Sequence, residues 1–479
     1  MSVKLALLGK NIGIYSLGNI ALRAAAFLLI PLYTRYLSVD SYGLLDLCII
    51  TMQILIIFMG LGMPQGLVRF YNKHELNNEA GILFTSSISL NLMGCMAMGI
   101  LIIILHGPMS RLIFSVESSP LLLLVSSVAV ARSLTQSSLS YFRAKNQALA
   151  YTTIALGIMI GLMAFNVYFV IILKKGISGI LYGYLIVYGV AAVTITAFIL
   201  SKSKPRYSPY IARKLLVFGL PLIFSMSGWF IIQMSSRYFL ANFSGLTEVG
   251  IYGLGYRIVT ILQIVIVMPF QLAFGPFIFS HEKDLELKAK VSTILTYLLA
   301  LLFAATWLTG FLSKLIIKIM APQEYQQAHM VVLLILPTII AIGVYYWSAS
   351  LLHLKNKTQW IGAFIACSAI VNVFLNLWLI PKYGWYGAAI ATNISIFLAM
   401  ALNFFSSQKF FKITFEKRRL YQLFFVFLVL CSVLIFTLEL KNLAYYGVNG
   451  GAFILMAILL YNSKSFKEEF KIDRQGTDV

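Results

Sequence analysis

Four arginines lie inside runs of apolar residues that are long enough to cross a bilayer. They are Arg23, Arg132, Arg237 and Arg257. An arginine at the centre of a bilayer costs roughly 2.5–3.5 kcal/mol, so four of them facing lipid would be strongly unfavourable. We therefore expect their side chains to face an aqueous cavity or one another. Such a cavity would be positively charged and would suit anions better than cations.

Polar residues accompany three of these arginines at a spacing of four. The pairs are Asn19 with Arg23, Gln136 with Arg132, and Gln233 with Arg237. Residues four apart share one face of a helix, and a polar stripe on an apolar helix normally faces inward. We therefore predict that these residues line the cavity, together with Gln53 and Gln263. The alternative is that they form hydrogen bonds between helices and bind no ligand.

Asp46 is an acidic residue inside the second apolar run. It could form an ion pair with one of the arginines, or it could bind a coupling cation, H⁺ or Na⁺. The sequence leaves both interpretations open. It has no phosphate-binding GxxxxGK[ST] loop and no HExxH motif, so we predict a protein that is not an enzyme and that has no metal or cofactor.

The composition favours a membrane protein. Of the 479 residues, 60% are hydrophobic and only 11% are charged, against roughly a quarter charged in soluble domains. The net charge of +21 would otherwise suggest a nucleic acid partner. However, the Lys and Arg residues lie mostly in short loops between apolar runs, as expected for cytosolic loops. We therefore expect membrane lipid, and no nucleic acid, as the surroundings of the chain.

The apolar runs predict about fourteen transmembrane helices at about 20 residues each. The first predicted span covers 12–34 and the last covers 443–462. Lys and Arg are concentrated in the N-terminus, the even-numbered loops and the C-terminal tail. This bias predicts that both termini are cytosolic. The predicted fold class is an all-α polytopic membrane protein.

An internal repeat is visible at an offset of 210 residues. The matching pairs include Tyr42-Gly43 with Tyr252-Gly253, Gln53 with Gln263, Lys145-Asn146 with Lys355-Asn356, and Asn166 with Asn376. An offset of six helices leaves the two halves in the same orientation, as in transporters built from parallel repeats. We predict one six-helix lobe over 1–200 and a second over 201–410. An additional helix pair over 411–462 and a cytosolic tail over 463–479 would follow.

Several segments resemble the oligosaccharide flippases of the Wzx type. The opening LLIPLYTRYL at 28–37, followed by YGL at 42–44, resembles the start of these proteins. VGIY at 249–252 with PF at 276–277 resembles their eighth helix. The most specific stretch is NLWLIPKYGWYGAA at 376–389, which resembles their turn between helices 11 and 12. The similarity extends over most of the chain, to about residue 410.

The resemblance implies membership of the multidrug/oligosaccharidyl-lipid/polysaccharide exporter superfamily and two lobes around a cavity that opens alternately. It implies a bacterial inner-membrane protein that moves an undecaprenyl-pyrophosphate-linked oligosaccharide to the outer leaflet, for surface polysaccharides such as O-antigen or capsule. Other polysaccharide assembly proteins would be its partners. Two alternatives remain: a cation-coupled multidrug extruder of the same superfamily, and a membrane-bound polysaccharide polymerase or ligase.

Overall fold

The computed structural model describes residues 27–75, 79–115, 119–203, 205–438, 440 and 442–462. Within these ranges every regular element is helical and none is a strand. Eleven helical segments are long and apolar enough to cross a membrane. The prediction of an all-α, multi-pass membrane protein is confirmed.

The described helices fall into two compact units that interleave along the chain. The first unit comprises the described part of Met1–Leu254 together with Met320–Tyr325 and Ala369–Ala391. Its helices are α1 (Ile30–Tyr36), α2 (Val39–Gly60), α3 (Met63–Glu75), α4 (Ala80–Phe114), α5 (Ser119–Ala144), α6 (Ala148–Val167), α7 (Gly176–Lys202), α8 (Pro209–Met234), α9 (Ser236–Phe243) and the start of α10 (Leu246–Leu262).

The second unit contains the remaining helices of the described chain. They are the end of α10, then α11 (Met268–Ser280), α12 (Leu287–Met320), α13 (Ala328–Ile335), α14 (Pro337–Leu354), most of α15 (Thr358–Phe410), α16 (Lys417–Phe436) and α17 (Asn442–Asn462). Its core is aromatic. The Trp347 indole donates to the backbone carbonyl of Val291, and the ring of Trp307 stacks on that of Phe453 at 4.7 Å.

The helix α15 is broken at Gly384, where φ is +53° and ψ is −134°. A side chain is strained in that conformation, whereas glycine adopts it readily. The carboxylate of Glu248 lies against the break and accepts a hydrogen bond from the backbone N–H of Trp385 at 3.1 Å. The break divides α15 into two membrane-length helices, so the described chain holds twelve candidate spans.

The two other predicted spans are the first and the last. The first, 12–34, lies mostly outside the described residues. The last coincides with α17, which is helical but is not one of the eleven apolar segments. The count of fourteen and the cytosolic placement of both termini therefore remain predictions.

Repeat-related residues have matching local geometry. Asn146 and Asn356 both adopt the left-handed conformation, with φ of +55° and +56°, between helices whose ends also differ by 210 residues. Asn166 and Asn376 are both fully buried, and each accepts a hydrogen bond at 3.0 Å, from Tyr33 and from Ser236. These similarities support the repeat, whereas the lobe boundaries at 200 and 410 stay predictions.

Candidate functional site

The cavity of interest begins at a break between α2 and α3. Leu61 and Gly62 are both left-handed, with φ of +48° and +70°. Gly62 packs directly on the backbone of α8, because a Cβ at that position would lie 2.6 Å from the Cα of Gly219. The break turns α3 away from the axis of α2, and the cavity opens beside the turn against α5.

The cavity has a volume of about 320 Å³, near the lower end of the usual range for ligand sites, roughly 300–1,000 Å³. All of its lining residues belong to the first unit. Its polar residues include Gln65, Arg132, Gln136, Ser140, Arg143 and Tyr188. Among the described residues that form its wall there is no Asp or Glu. The cavity is therefore positively charged, and it fits a group of the size of a diphosphate better than a whole oligosaccharide.

Arg132 extends from α5 and contacts a methionine sulfur and a tyrosine ring. One of its terminal nitrogens lies 3.6 Å from the sulfur of Met52, and its guanidinium carbon lies 5.5 Å from the centre of the Tyr188 ring. In the described part of the chain, no carboxylate forms an ion pair with it. A cation–π contact stabilises the charge but leaves the donors of the guanidinium largely available to an anion.

A second arginine, Arg143, lines the same cavity. It follows Arg132 by eleven residues, which is three turns, so the two side chains share one face of α5. At 1.5 Å per residue their backbones are separated by about 16 Å along the helix. Arg143 was not predicted as a site residue, because it lies near the end of a helix, where basic residues are also expected from membrane topology. The spacing of eleven from Arg132 was the signal that could have found it.

Two small polar residues beside Arg132 on the wall of the cavity also join α5 to neighbouring helices. Ser133 donates to the side-chain oxygen of Asn91 at 3.1 Å, and Thr135 donates to the carbonyl of Tyr188 at 3.0 Å. Both Ser133 and Thr135 are buried, at 1% exposure. Ser133 and Thr135 therefore line the cavity and also form hydrogen bonds between helices, whereas Gln136 is an exposed residue of the same wall.

Arg237 lies in a different environment. Its Nε is 2.6 Å from Oδ2 of Asp46, and the two side chains are only 2% and 3% exposed. Residue 253 is a glycine, and this leaves room for Asp46. A Cβ at position 253 would lie 2.6 Å from the same carboxylate oxygen. Beside the pair, the hydroxyls of Thr51 and Tyr238 are 3.0 Å apart. Of the two roles considered for Asp46, the structure shows the ion pair.

The remaining predicted site residues are spread over both units. Gln233 is only 6% exposed, and its backbone carbonyl accepts a hydrogen bond from the Arg237 guanidinium at 3.2 Å. Gln53 on α2 is half-buried in the first unit. Arg257 and Gln263 are half-buried in the second unit, on and just after α10. The predictions for Arg23 and Asn19 fall outside the described residues.

The described residues contain no group of three or more His, Cys, Asp or Glu side chains that could hold a metal ion. The first unit therefore holds a cavity with two arginines and no described acidic residue in its wall, and separately a buried ion pair. The charge of this cavity suits an anion, and its described wall holds no nucleophile with an adjacent general base.

Comparison with solved structures places the fold. The chain is similar to the lipid II flippase MurJ in an inward closed conformation, with a TM-score of 0.75 and 16% identity, covering 93% of this chain and 98% of MurJ. It is also similar to the Vibrio cholerae MATE transporter VcmN, with a TM-score of 0.62 and 15% identity. The match covers 85% of this chain and 97% of VcmN. The protein therefore has the helical membrane fold that MurJ and MATE transporters share.

The family follows from sequence. Residues 8–282, more than half of the chain, match the family described as polysaccharide biosynthesis protein, and the chain belongs to that family. An uncharacterized membrane protein of Haemophilus influenzae is 25% identical over 332 residues, which cover 64% of this chain and 76% of the relative. The Lsg locus putative protein 1 of the same organism is 24% identical over 291 residues, which cover 58% of this chain and 67% of that relative.

Proposed function

We propose that this protein is a flippase of the Wzx type. It would move an oligosaccharide linked to undecaprenyl pyrophosphate from the cytosolic to the outer leaflet of a bacterial inner membrane by alternating access. The observation that carries the proposal is the acid-free cavity of Arg132 and Arg143. The family supports a role in polysaccharide synthesis, and the likeness to MurJ supports the fold that this role needs.

The chemistry of the pyrophosphate suits the cavity. Guanidinium groups bind phosphate oxygens through paired hydrogen bonds, and such charge-assisted bonds are about twice as strong as neutral ones. Arg143 lies at the end of α5 that the charge bias predicts to be cytosolic, so the headgroup would contact Arg143 before Arg132. The sugars would extend beyond this cavity, because its volume of about 320 Å³ is too small for a whole oligosaccharide.

Energy for export is available without a dedicated coupling site. A membrane potential that is negative inside favours outward movement of an anion by roughly 2.3 kcal/mol per charge per 100 mV. Asp46 would then have no obligatory role as a coupling residue. Arg237 would reach a ligand only in a conformation that separates it from Asp46, whereas Arg23 and Arg257 stay predicted contributors to the cavity.

The cation-coupled extruder fits less well, because the cavity of the first unit offers positive rather than negative charge to a cationic drug. A polymerase or ligase would need a catalytic group in an outer loop, and the sequence offers no such motif. These two functions are therefore kept as outcomes of the test.

The decisive experiment is genetic and biochemical. Deleting the gene should cause a lipid-linked glycan to accumulate on the cytosolic side, and the wild-type gene should restore surface polysaccharide. An Arg132→Ala/Arg143→Ala variant should not restore it at equal abundance. Arg418→Ala removes an exposed arginine outside the cavity and should restore it fully. Accumulation of unpolymerised repeat units in the outer leaflet would instead support the polymerase. Altered drug resistance with normal glycan would support the extruder.

A further inference from the structure

A second cavity lies at one end of the first unit, and the proposed transport cycle does not use it. Its volume is about 570 Å³. It is bounded by the turn between α5 and α6 and by the last turns of α7. It shares no lining residue with the Arg132 cavity. Tyr141 lies on a different face of α5 from Gln136 and Arg143, so this cavity is a separate site.

The wall of this second cavity is basic and aromatic. Lys145 lies in the turn after α5 and Lys202 at the end of α7, and the described lining contains no acidic residue. The ammonium of Lys202 lies 4.3 Å from the centre of the Phe198 ring, and that of Lys145 lies 5.9 Å from the centre of the Tyr141 ring. The aromatic contacts orient both charges but neutralise neither, so the cavity is suited to an anion.

Two further features add polar and apolar character at the same place. The first turn of α6 has no side-chain cap, so its backbone N–H groups face the turn that bounds the cavity. Leu149 and Phe198, which line the cavity, are 72% and 49% exposed. An anionic group among the lysines would thus have an apolar surface beside it that suits hydrocarbon chains.

Location decides between a free anion and a lipid. The cavity lies at helix ends, and the ends of membrane-spanning helices are where polar headgroups meet the apolar core of a bilayer. Basic pockets at the ends of transmembrane helices are suited to anionic lipid headgroups. A free phosphate would use the lysines but would leave Leu149 and Phe198 exposed to water.

We propose that this second cavity binds the headgroup of an anionic diacyl phospholipid. Lys145 and Lys202 contact its phosphodiester, and Leu149 and Phe198 contact its acyl chains. The site is independent of the proposed transport function, because it uses none of the residues assigned to that function.

The test is lipid binding to the delipidated, full-length protein, followed by native mass spectrometry. The probes are phosphatidylglycerol and phosphatidylcholine with the same acyl chains, and inorganic phosphate and undecaprenyl diphosphate are competitors. We expect phosphatidylglycerol to bind more tightly than phosphatidylcholine. Lys145→Gln/Lys202→Gln should weaken its binding by roughly 30-fold, from two lysines near a headgroup. Lys283→Gln/Lys355→Gln removes the same charge from exposed positions outside the cavity and should leave binding unchanged.

Leu149→Asn tests the acyl contact separately. It should weaken binding of long-chain phosphatidylglycerol and leave a six-carbon analogue unaffected. Equal losses in the two lysine double variants would overturn the proposal, since they would indicate attraction to overall charge. Displacement by millimolar phosphate would identify a free-anion site instead. Preferential displacement by undecaprenyl diphosphate would make the cavity part of the transport route.

Discussion

Arg132 and Arg237 are both arginines inside apolar helices of the first unit, yet their surroundings are opposite. The side chain of Arg237 is only 2% exposed and contacts the carboxylate of Asp46. Arg132 faces a cavity with a methionine sulfur and a tyrosine ring as its contacts. A paired and buried charge holds helices together, whereas a charge without a carboxylate partner can bind a ligand. An arginine in an apolar run therefore occurs in two different environments, which depend on a residue far away in the chain.

The largest effect should come from breaking the buried pair. Asp46→Asn leaves Arg237 buried without a counter-charge, and removing one partner of such a pair costs about 3–5 kcal/mol. We expect a lower unfolding temperature in detergent and a lower yield of folded protein. Asp46→Leu/Arg237→Met removes both charges and should recover most of the stability. If Asp46→Asn unfolds at the wild-type temperature, the pair does not stabilise the fold.

The second effect should fall on transport alone. Arg132→Ala removes a charge-assisted contact to a phosphate, worth about 1.5–3 kcal/mol, or roughly 10- to 150-fold in affinity. Flipping of the lipid-linked substrate in proteoliposomes should drop accordingly, and the unfolding temperature should not. Arg132→Lys should recover part of the activity, because it restores charge without the planar fork. A loss of stability equal to that of Asp46→Asn would remove the distinction between the two arginines.

A smaller effect is expected at Arg143. It lies at the end of α5, closer to water, so salt should screen its interaction with the ligand more strongly. Arg143→Ala should slow flipping by roughly two- to fivefold at low salt, equivalent to less than about 1 kcal/mol. The difference should shrink at high ionic strength, whereas that of Arg132→Ala should persist. Equal salt dependence of both variants would contradict the difference in depth.

We expect the smallest effects at two glutamines, Gln136 near Arg132 and Gln233 near Arg237. Gln136 lines the Arg132 cavity, so Gln136→Ala should reduce flipping by a few fold through a lost neutral hydrogen bond of about 0.5–1.5 kcal/mol. The amide nitrogen of Gln233 is buried and makes no hydrogen bond, so Gln233→Leu should leave flipping and stability close to wild type. The measurement is flipping rate alongside unfolding temperature. A larger transport defect in Gln233→Leu would place the ligand near Arg237 instead.

The helices were predictable because each apolar run is long and the polar residues between runs are few. The breaks in the helices and the partners of the buried charged residues were not predictable. The sequence contains Gly384 and Leu61-Gly62, but a glycine in an apolar run does not state whether its φ will be positive. The partner of Asp46 could not be predicted either, since the sequence contains several intramembrane arginines that could pair with it. Only the packing of α2 against the α8–α9 region selected Arg237.

The contact between Gly62 and Gly219 also has a consequence for how the sequence can vary. The two backbones touch with no side chain between them, and Gly62 has a positive φ as well. Even a methyl group at either position would force α3 and α8 apart. In a saturation mutagenesis screen for surface polysaccharide, these two positions should therefore tolerate almost no replacement. The exposed residues of the same helices should accept many.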